Sequence, residues 1–95
     1  MSKIKYKLEM TTLFKKDLKR IKKRGMNMKL LSDIVFKLQC GEPLPPKKHD
    51  HLLTNNWAGH RECHITPDWL LVYRVLDDSL ILSLIRTGSH SDFDF

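Results

Sequence analysis

Residues 61–85 read RECHITPDWLLVYRVLDDSLILSLI, and three runs within them have the length and composition of β-strands. These runs are residues 61–65, 70–76 and 80–85, of which the last two are largely apolar. The residues between them, Thr66-Pro67-Asp68 and Asp77-Asp78-Ser79, are few and favour tight turns. Short turns join antiparallel neighbours, so the stretch predicts an antiparallel three-strand meander.

The segment before the meander predicts one strand and a first helix. Residues 4–9 alternate apolar and polar side chains in part, which is the period of a half-buried strand. The next apolar residues recur at helical spacing and are Leu13, Phe14, Leu18 and Ile21. Thr11 or Thr12 is a suitable N-cap and Gly25 a suitable stop, which predicts a helix over residues 13–24.

A second helix follows, with Asn27 as a plausible N-cap and Gly41 just past its end. Its apolar stripe consists of Leu30, Leu31, Ile34, Val35 and Leu38. Three prolines in residues 41–46 prevent further helix and predict a stiff connector. The order strand, helical hairpin, three-strand meander (β-α-α-β-β-β) predicts a two-layer α+β fold, with residues 1–95 as one domain.

The composition predicts a soluble cytoplasmic protein with an anionic partner. No apolar run approaches the roughly 20 residues that cross a bilayer, and the N-terminus lacks the features of a signal peptide. Seventeen Lys and Arg against eleven Asp and Glu give a net charge of +6, which favours nucleic acid or an acidic protein. Cys40 and Cys63 fit no zinc spacing and are interpreted as reduced core residues.

Side chains suited to acid/base chemistry occur where the first run of the meander ends. In a strand over residues 61–65, His64 faces away from the apolar pair Cys63 and Ile65, and so away from the core. Asp68 is either a turn former or a group that orients or exchanges a proton. Trp69 is either a core residue or a stacking plane for a base.

Two further clusters lie on either side. His49-Asp50-His51 is predicted to form a polar loop, in which His49 is solvated and the ring of His51 reaches a groove. Arg86 ends an apolar run, and Gly88 allows a reversal that brings His90 back toward the sheet, a combination suited to binding phosphate. The alternative is a surface arginine beside a solvated histidine. Paired metal-ligand spacing is missing from the sequence, so neither a metal nor a cofactor is predicted.

The ordered set of these residues resembles the YafQ-type toxins of the RelE superfamily, which belong to bacterial type II toxin–antitoxin systems. The matching segments are Asp50-His51, Trp57, Arg61-Glu62-Cys63-His64, Pro67-Asp68-Trp69, Leu71-Val72-Tyr73 and Arg86-Thr87-Gly88-Ser89-His90-Ser91. The resemblance implies a RelE-like fold and a ribosome-dependent mRNA endoribonuclease that cleaves the codon in the ribosomal A site without a metal.

The resemblance also implies roles for individual residues. His51, His64, Asp68 and His90 match the acid/base positions of the family, and Arg86 its phosphate-contacting arginine. Trp69 matches an aromatic residue that contacts substrate. The expected chemistry is attack of a ribose 2′-hydroxyl on the adjacent phosphate, with His90 or Asp68 as base, His51 or His64 as acid, and Arg86 stabilising the phosphorane.

The C-terminus departs from the family pattern. Family members commonly carry an aromatic residue four positions after the last histidine, where this chain has Asp94 between Phe93 and Phe95. Either phenylalanine is able to stack on a base or to pack against the sheet. Phe93 is the substrate-contacting candidate.

The resemblance further implies partners: mRNA, the ribosome with its 16S rRNA, and an acidic antitoxin encoded by a neighbouring gene. No membrane partner is expected. Two alternatives stay open. One is a non-enzymatic toxin like the ParE type, which inhibits DNA gyrase by binding, and the other is an inactive homologue that serves as an antitoxin-binding corepressor.

Overall fold

The computed structural model describes residues 3–93, which form one five-stranded mixed sheet and two helices packed on one of its faces. The strands are β1 (Lys7–Met10), β2 (His51–Leu52), β3 (Arg61–Thr66), β4 (Trp69–Leu76) and β5 (Ile81–Gly88), and the helices are α1 (Thr12–Lys23) and α2 (Met28–Gln39). Single 3₁₀ turns span Pro46–Lys48, Asn55–Trp57 and His90–Asp92. The predicted two-layer α+β class and helical hairpin are confirmed.

The strand order is β1-β5-β4-β3-β2. Neighbours β3, β4 and β5 are antiparallel, which confirms the predicted meander. The first strand completes the sheet by pairing in parallel with β5, from Lys7 opposite Ile81 to Met10 opposite Leu84. Beyond Leu84 the edge of β5 faces α1 instead, where the Thr11 hydroxyl donates a 2.7 Å hydrogen bond to the Ile85 carbonyl.

The first strand is shorter and later than the predicted span of residues 4–9. The backbone N–H groups of Lys5 and Tyr6 donate to the Gln39 carbonyl at 2.8 and 2.9 Å, so this segment pairs with the end of α2 instead of a strand. Tyr6 is buried and its hydroxyl donates to Asp77. Ile4 is exposed.

Side-chain caps define where both helices begin. The Thr11 hydroxyl accepts from the Phe14 N–H at 3.0 Å, and the Asn27 side chain accepts from the Lys29 N–H at 3.1 Å, as predicted for capping residues. Gly25, at φ +76°, follows α1 in the left-handed conformation.

The buried stripes of the two helices are narrower than predicted. In α1 the buried positions are Phe14, Asp17 and Ile21, and Leu13 is exposed because it lies one residue outside that stripe. Leu30 of α2 is exposed for the same reason. Within residues 3–93, neither helix is long and apolar enough to span a bilayer.

Residues of β3 alternate between the two faces of the sheet. Cys63 and Ile65 are buried in the core beneath the helices, as predicted. Burial raises the pKa of the Cys63 thiol to about 12, which makes it an unreactive core residue. Cys40, by contrast, is only half-buried. Glu62 and His64 therefore point to the opposite face, called the outer face here.

Candidate active site

The register of the sheet aligns the candidate residues in two adjacent rows. His51 lies opposite Glu62, Glu62 opposite Val72, and Val72 opposite Arg86. In the next row His64 lies opposite Leu70, and Leu70 opposite Gly88. Strands are about 4.8 Å apart, so the backbones of Glu62 and Arg86 are separated by roughly 10 Å. His51 belongs to the short edge strand β2, which corrects its prediction as a loop residue.

Glu62 joins two of the candidate histidines. Its side chain is buried, at 6% exposure for the residue, and Oε1 lies 3.7 Å from His51 Nε2 and 3.5 Å from His64 Nε2. The Nδ1 atom of His51 is 2.6 Å from the His49 carbonyl oxygen. An N–H at Nδ1 donates to that carbonyl, and Nε2 of the same ring faces the Glu62 carboxylate.

His90 and Asp68 form a second pair beside the first. His90 Nδ1 is 2.7 Å from Asp68 Oδ1, which also accepts from the His90 backbone N–H at 3.1 Å. These hydrogen bonds lower the pKa of Asp68, the bond from the His90 side chain contributing most, so the carboxylate is ionised at neutral pH. The rings of His90 and His64 are 5.6 Å apart. The four predicted acid/base residues therefore form one continuous cluster.

His49 also belongs to this cluster, although it was predicted to be merely solvated. Its backbone is left-handed, with φ +48°, and its exposed ring lies 5.4 Å from that of His64. His60 stands apart, because its ring packs on Trp57 and bonds the Trp57 carbonyl oxygen at 3.2 Å.

An open groove of about 840 Å³ runs along one side of the cluster. It is lined by Leu30, Lys47, Lys48, His49, His51, His64, Ile65, Thr66 and Pro67. Two lysines and three histidines without a carboxylate give this groove a surface that attracts anions. The exposed Leu30 supplies an apolar patch at its edge.

Asp50 anchors the segment that carries His49 and His51. Its Oδ1 accepts from the Tyr73 hydroxyl at 2.5 Å and from Arg61 Nε at 3.2 Å. Burial, followed by the bond to Asp50, strongly raises the pKa of Tyr73, so the phenol stays protonated and remains a donor. Lys48 Nζ adds a bond of 2.9 Å to the Ile65 carbonyl oxygen. Both histidines are thus fixed against β3 and β4.

Arg86 is held by a carboxylate that the sequence analysis did not identify. Asp17 of α1 is 1% exposed, and its Oδ2 and Oδ1 atoms accept from Arg86 Nε at 2.7 Å and Nη2 at 3.1 Å. The hydrogen bond to Asp17 is the main cause that raises the pKa of Arg86. The Phe93 ring centroid lies 5.1 Å from Arg86 Cζ, within range of a cation–π contact.

The turn that carries His90 is fixed by Asp92. Asp92 Oδ2 accepts from the Ser89 N–H at 2.8 Å and from Arg24 Nη1 at 2.8 Å. The Arg24 bond is the largest cause that holds the pKa of Asp92 well below its usual range. A Cβ atom on Gly88 would lie 2.7 Å from Asp92 Oδ2, so a larger residue there would displace the Asp92 side chain.

The structure corrects the role predicted for Trp69 and locates Phe93. Trp69 is 1% exposed in the helix-covered core, and its indole N–H donates to the Thr87 hydroxyl at 2.9 Å. No face of its ring is open for stacking on a base. Phe93 is half-buried against Arg86. Asp94 and Phe95 lie outside the described residues.

The sequence analysis did not assign Glu62 or Asp17 to the site, and only Glu62 could have been found from the sequence. Alternation along β3 already put Glu62 on the face of His64. Asp17 offered no such signal, because an aspartate on a lysine-rich helix resembles an ordinary surface residue. Residues 3–93 contain no group of three or more His, Cys, Asp or Glu side chains arranged to hold a metal ion.

Comparison with known proteins gives consistent matches over nearly the whole chain. Residues 6–94 match the family described as bacterial toxin of type II toxin-antitoxin system, YafQ. The mRNA interferase toxin YafQ of Escherichia coli strain B / BL21-DE3 is 36% identical over 85 residues, which are 88% of this chain and 90% of that protein.

Solved structures agree with the sequence matches. A metal-bound toxin from Helicobacter pylori has a TM-score of 0.88 and 42% identity, over 94% of this chain and 99% of that one. The E. coli DinJ-YafQ toxin-antitoxin complex gives a TM-score of 0.87 and 33% identity, over 97% and 100%. Fold, sequence and the ordered histidine, aspartate and arginine set agree, and this chain belongs to the YafQ family of bacterial type II toxins.

Proposed function

We propose that this toxin is a ribosome-dependent mRNA endoribonuclease that cleaves the codon in the A site. The observation that carries the proposal is the convergence of His51, His64, Asp68 and His90, from two strands and two turns, into one cluster next to the row that carries Arg86. Its relatives in E. coli are named mRNA interferase toxins.

His90 acts as the general base. Because ionised Asp68 accepts from Nδ1–H, the neutral ring carries its lone pair on Nε2, which takes the proton of the ribose 2′-hydroxyl. The 2′-oxygen then bonds to phosphorus. Asp68 orients the ring, and its lowered pKa makes the carboxylate a weak proton acceptor, which favours His90 over Asp68 as the base.

His51 or His64 acts as the general acid. Both rings present Nε2 to the Glu62 carboxylate, at 3.7 and 3.5 Å, which fixes their orientation at the site. As the bond from phosphorus to the 5′-oxygen breaks, that oxygen takes the proton, giving a 2′,3′-cyclic phosphate and a 5′-hydroxyl. The Arg86 guanidinium stabilises the negative charge that builds on the phosphorane oxygens.

No step of this chemistry needs a metal bound to the toxin, so we expect cleavage by protein from which EDTA has removed any bound metal. A related H. pylori toxin was crystallised with metal bound, so both removal and re-addition of a metal are tested. Cleavage by protein treated with EDTA and then dialysed should equal that by untreated protein. Loss of cleavage that a divalent ion restores would contradict metal independence.

Basic surfaces support a ribosome-bound site. The exposed residues Lys15, Lys16, Lys19, Lys22 and Lys23 of α1 offer attraction to rRNA phosphates, independent of sequence, in addition to the lysines of the groove. The groove is short and open, and the 16S rRNA of the decoding site would complete it around the mRNA. Free RNA should therefore be a poor substrate.

An antitoxin is the expected protein partner. The E. coli relative was crystallised with DinJ, and the net charge of +6 suits an acidic segment that folds over this toxin. We propose that such a partner is encoded by a neighbouring gene. Toxin and partner would then meet in the cytoplasm of the same cell. Expression of this chain without that partner should arrest growth.

The deciding experiment maps mRNA 5′ ends by primer extension after adding purified protein to a translating extract. In-frame cuts that need ribosomes and disappear with His90→Ala are the expected result. Growth arrest without cuts would favour a toxin that only binds its target, and equal cutting of naked RNA would contradict ribosome dependence.

A further inference from the structure

A buried carboxylate underlies the candidate phosphate-binding arginine. Asp17 Oδ2 accepts from Arg86 Nε at 2.7 Å and from the Thr87 N–H at 3.1 Å. Oδ1 accepts from Arg86 Nη2 at 3.1 Å and from Arg20 Nη2 at 2.8 Å. A carboxylate buried to this extent is costly unless its oxygens are fully bonded, and here four donors satisfy them.

The geometry of the pair leaves one edge of the guanidinium available. Asp17 occupies the side formed by Nε and Nη2. A guanidinium has a second bidentate edge, formed by Nη1 and the other Nη2 hydrogen, which fits two phosphate oxygens. The side chain of Arg86 is 22% exposed, so part of it remains accessible to solvent.

The charges agree with an arginine that still attracts an anion. Asp17 is shared by Arg86 and Arg20. Asp92 lies 3.9 Å from Arg20 and is paired with Arg24. Three arginines against two carboxylates leave one positive charge. Because α1 contacts β5 and the Thr87 backbone also bonds Asp17, the carboxylate is fixed relative to the strand that carries Arg86.

We propose that Asp17 is a positioning residue that holds Arg86 edge-on, so that the remaining guanidinium edge meets the scissile phosphate. This inference rests on the proposed endoribonuclease function. It differs from a purely structural pin between α1 and β5, because it predicts that the orientation of Arg86 and the rate of the chemical step depend on Asp17.

The test uses Asp17→Asn, which keeps the shape of the side chain but removes its charge and replaces one acceptor by a donor. Asp33→Asn is the matched control, because Asp33 is an exposed aspartate on α2 that bonds only Lys29 among the described residues. Arg86→Ala and the double variant complete a cycle. Unfolding by urea is measured for every variant.

Two readouts report on Asp17 without requiring activity. The Arg86 Nε–H signal in nitrogen-15 NMR should be sharp and slowly exchanging in the wild type and in Asp33→Asn, and lost in Asp17→Asn. Titration with inorganic phosphate should shift that signal in the wild type. In Asp17→Asn, phosphate binding followed at neighbouring backbone amides should weaken several-fold.

Cleavage of ribosome-bound mRNA gives the third readout. Asp17→Asn should lower the maximal rate by about 10- to 100-fold, with little change in the ribosome concentration that gives half-maximal rate. The double variant should be no slower than Arg86→Ala. If Asp17→Asn fails to fold, Arg86→Lys decides, because an ammonium group lacks the second edge and should be nearly as slow as Arg86→Ala.

The outcomes separate the two hypotheses. Unchanged rate in folded Asp17→Asn, additive losses in the double variant, or wild-type rate in Arg86→Lys would overturn the positioning role. If the wild type cuts no mRNA, the proposed function fails. In that case equal phosphate affinity of wild type and Asp17→Asn would overturn the Asp17 proposal as well, and weaker binding in the variant would uphold it.

Discussion

The two faces of the sheet use the same strands for opposite purposes. On the helix-covered face, Cys63 and Ile65 are buried and unreactive; on the outer face, the intervening residues Glu62 and His64 join a cluster of titratable side chains. A strand offers alternate residues to its two sides, so six residues of β3 supply both core and site. Substitutions on the two faces should therefore fail in different ways.

The largest difference between the effect on cleavage and the effect on stability is expected for His90→Ala. Loss of the general base should lower the cleavage rate by about 100- to 10,000-fold. The side chain is 56% exposed, so the free energy of unfolding should hardly change. Rates are measured on ribosome-bound mRNA and stability by urea unfolding. His60→Ala is the control, because its ring lies on Trp57 outside the cluster, and it should cut normally.

The opposite behaviour is expected for Trp69. Trp69→Ala should lower the free energy of unfolding by about 3–5 kcal/mol, because it empties a large volume of the core. Trp69→Phe retains most of that volume and loses the bond to Thr87, so a folded and active protein is expected. A folded Trp69→Phe variant with sharply weakened substrate binding would show that this ring contacts RNA after all.

Helix ends and strand faces were predictable because they depend on neighbouring residues. Thr11 and Asn27 cap the helices from within one turn, and alternation along β3 correctly put His64 on the face opposite Cys63. Trp69 could not be decided in this way. It is buried because distant residues of the two helices pack over the sheet, and its indole N–H is bonded by Thr87, eighteen residues later on the adjacent strand.

Contacts between distant segments account for the remaining errors. Asp17 and Arg86 are 69 residues apart, and their pairing arises only because α1 covers the edge of β5 beyond Leu84. The parallel pairing of β1 with β5 is likewise a contact between distant segments. His51 lies in a strand because two residues pair with β3, which is too short a run for any periodicity to reveal.

A smaller effect, on both stability and cleavage rate, is expected for Gly88→Ala. The new methyl group would meet Asp92 and shift the turn that carries His90. We expect a loss of about 1–2 kcal/mol in stability and a roughly tenfold lower rate. Gly25→Ala is the control, since it is strained at φ +76° but lies in open space. It should lose stability while cutting at the wild-type rate, and equal rates in both variants would contradict the link between this turn and His90.

The smallest effect concerns acid pH and Asp92. Its pKa in the folded protein lies below the unfolded value of about 4, so its contribution is complete above pH 4 and disappears as the pH falls through the lower, folded pKa. Wild type should exceed Asp92→Asn in unfolding free energy by about 1 kcal/mol at pH 6, allowing for solvent screening. The difference should shrink as the pH falls below 4. A gap independent of pH would show that shape, and not charge, holds the turn.

The most direct test of the acid/base site is the chemistry of the RNA ends it produces. Cleavage fragments from a translating extract are isolated and their termini analysed by mass spectrometry. The outer-face cluster predicts a 2′,3′-cyclic phosphate on the upstream fragment and a 5′-hydroxyl on the downstream fragment. A 3′-hydroxyl paired with a 5′-phosphate would contradict the account, because those ends require attack by water in place of the ribose hydroxyl.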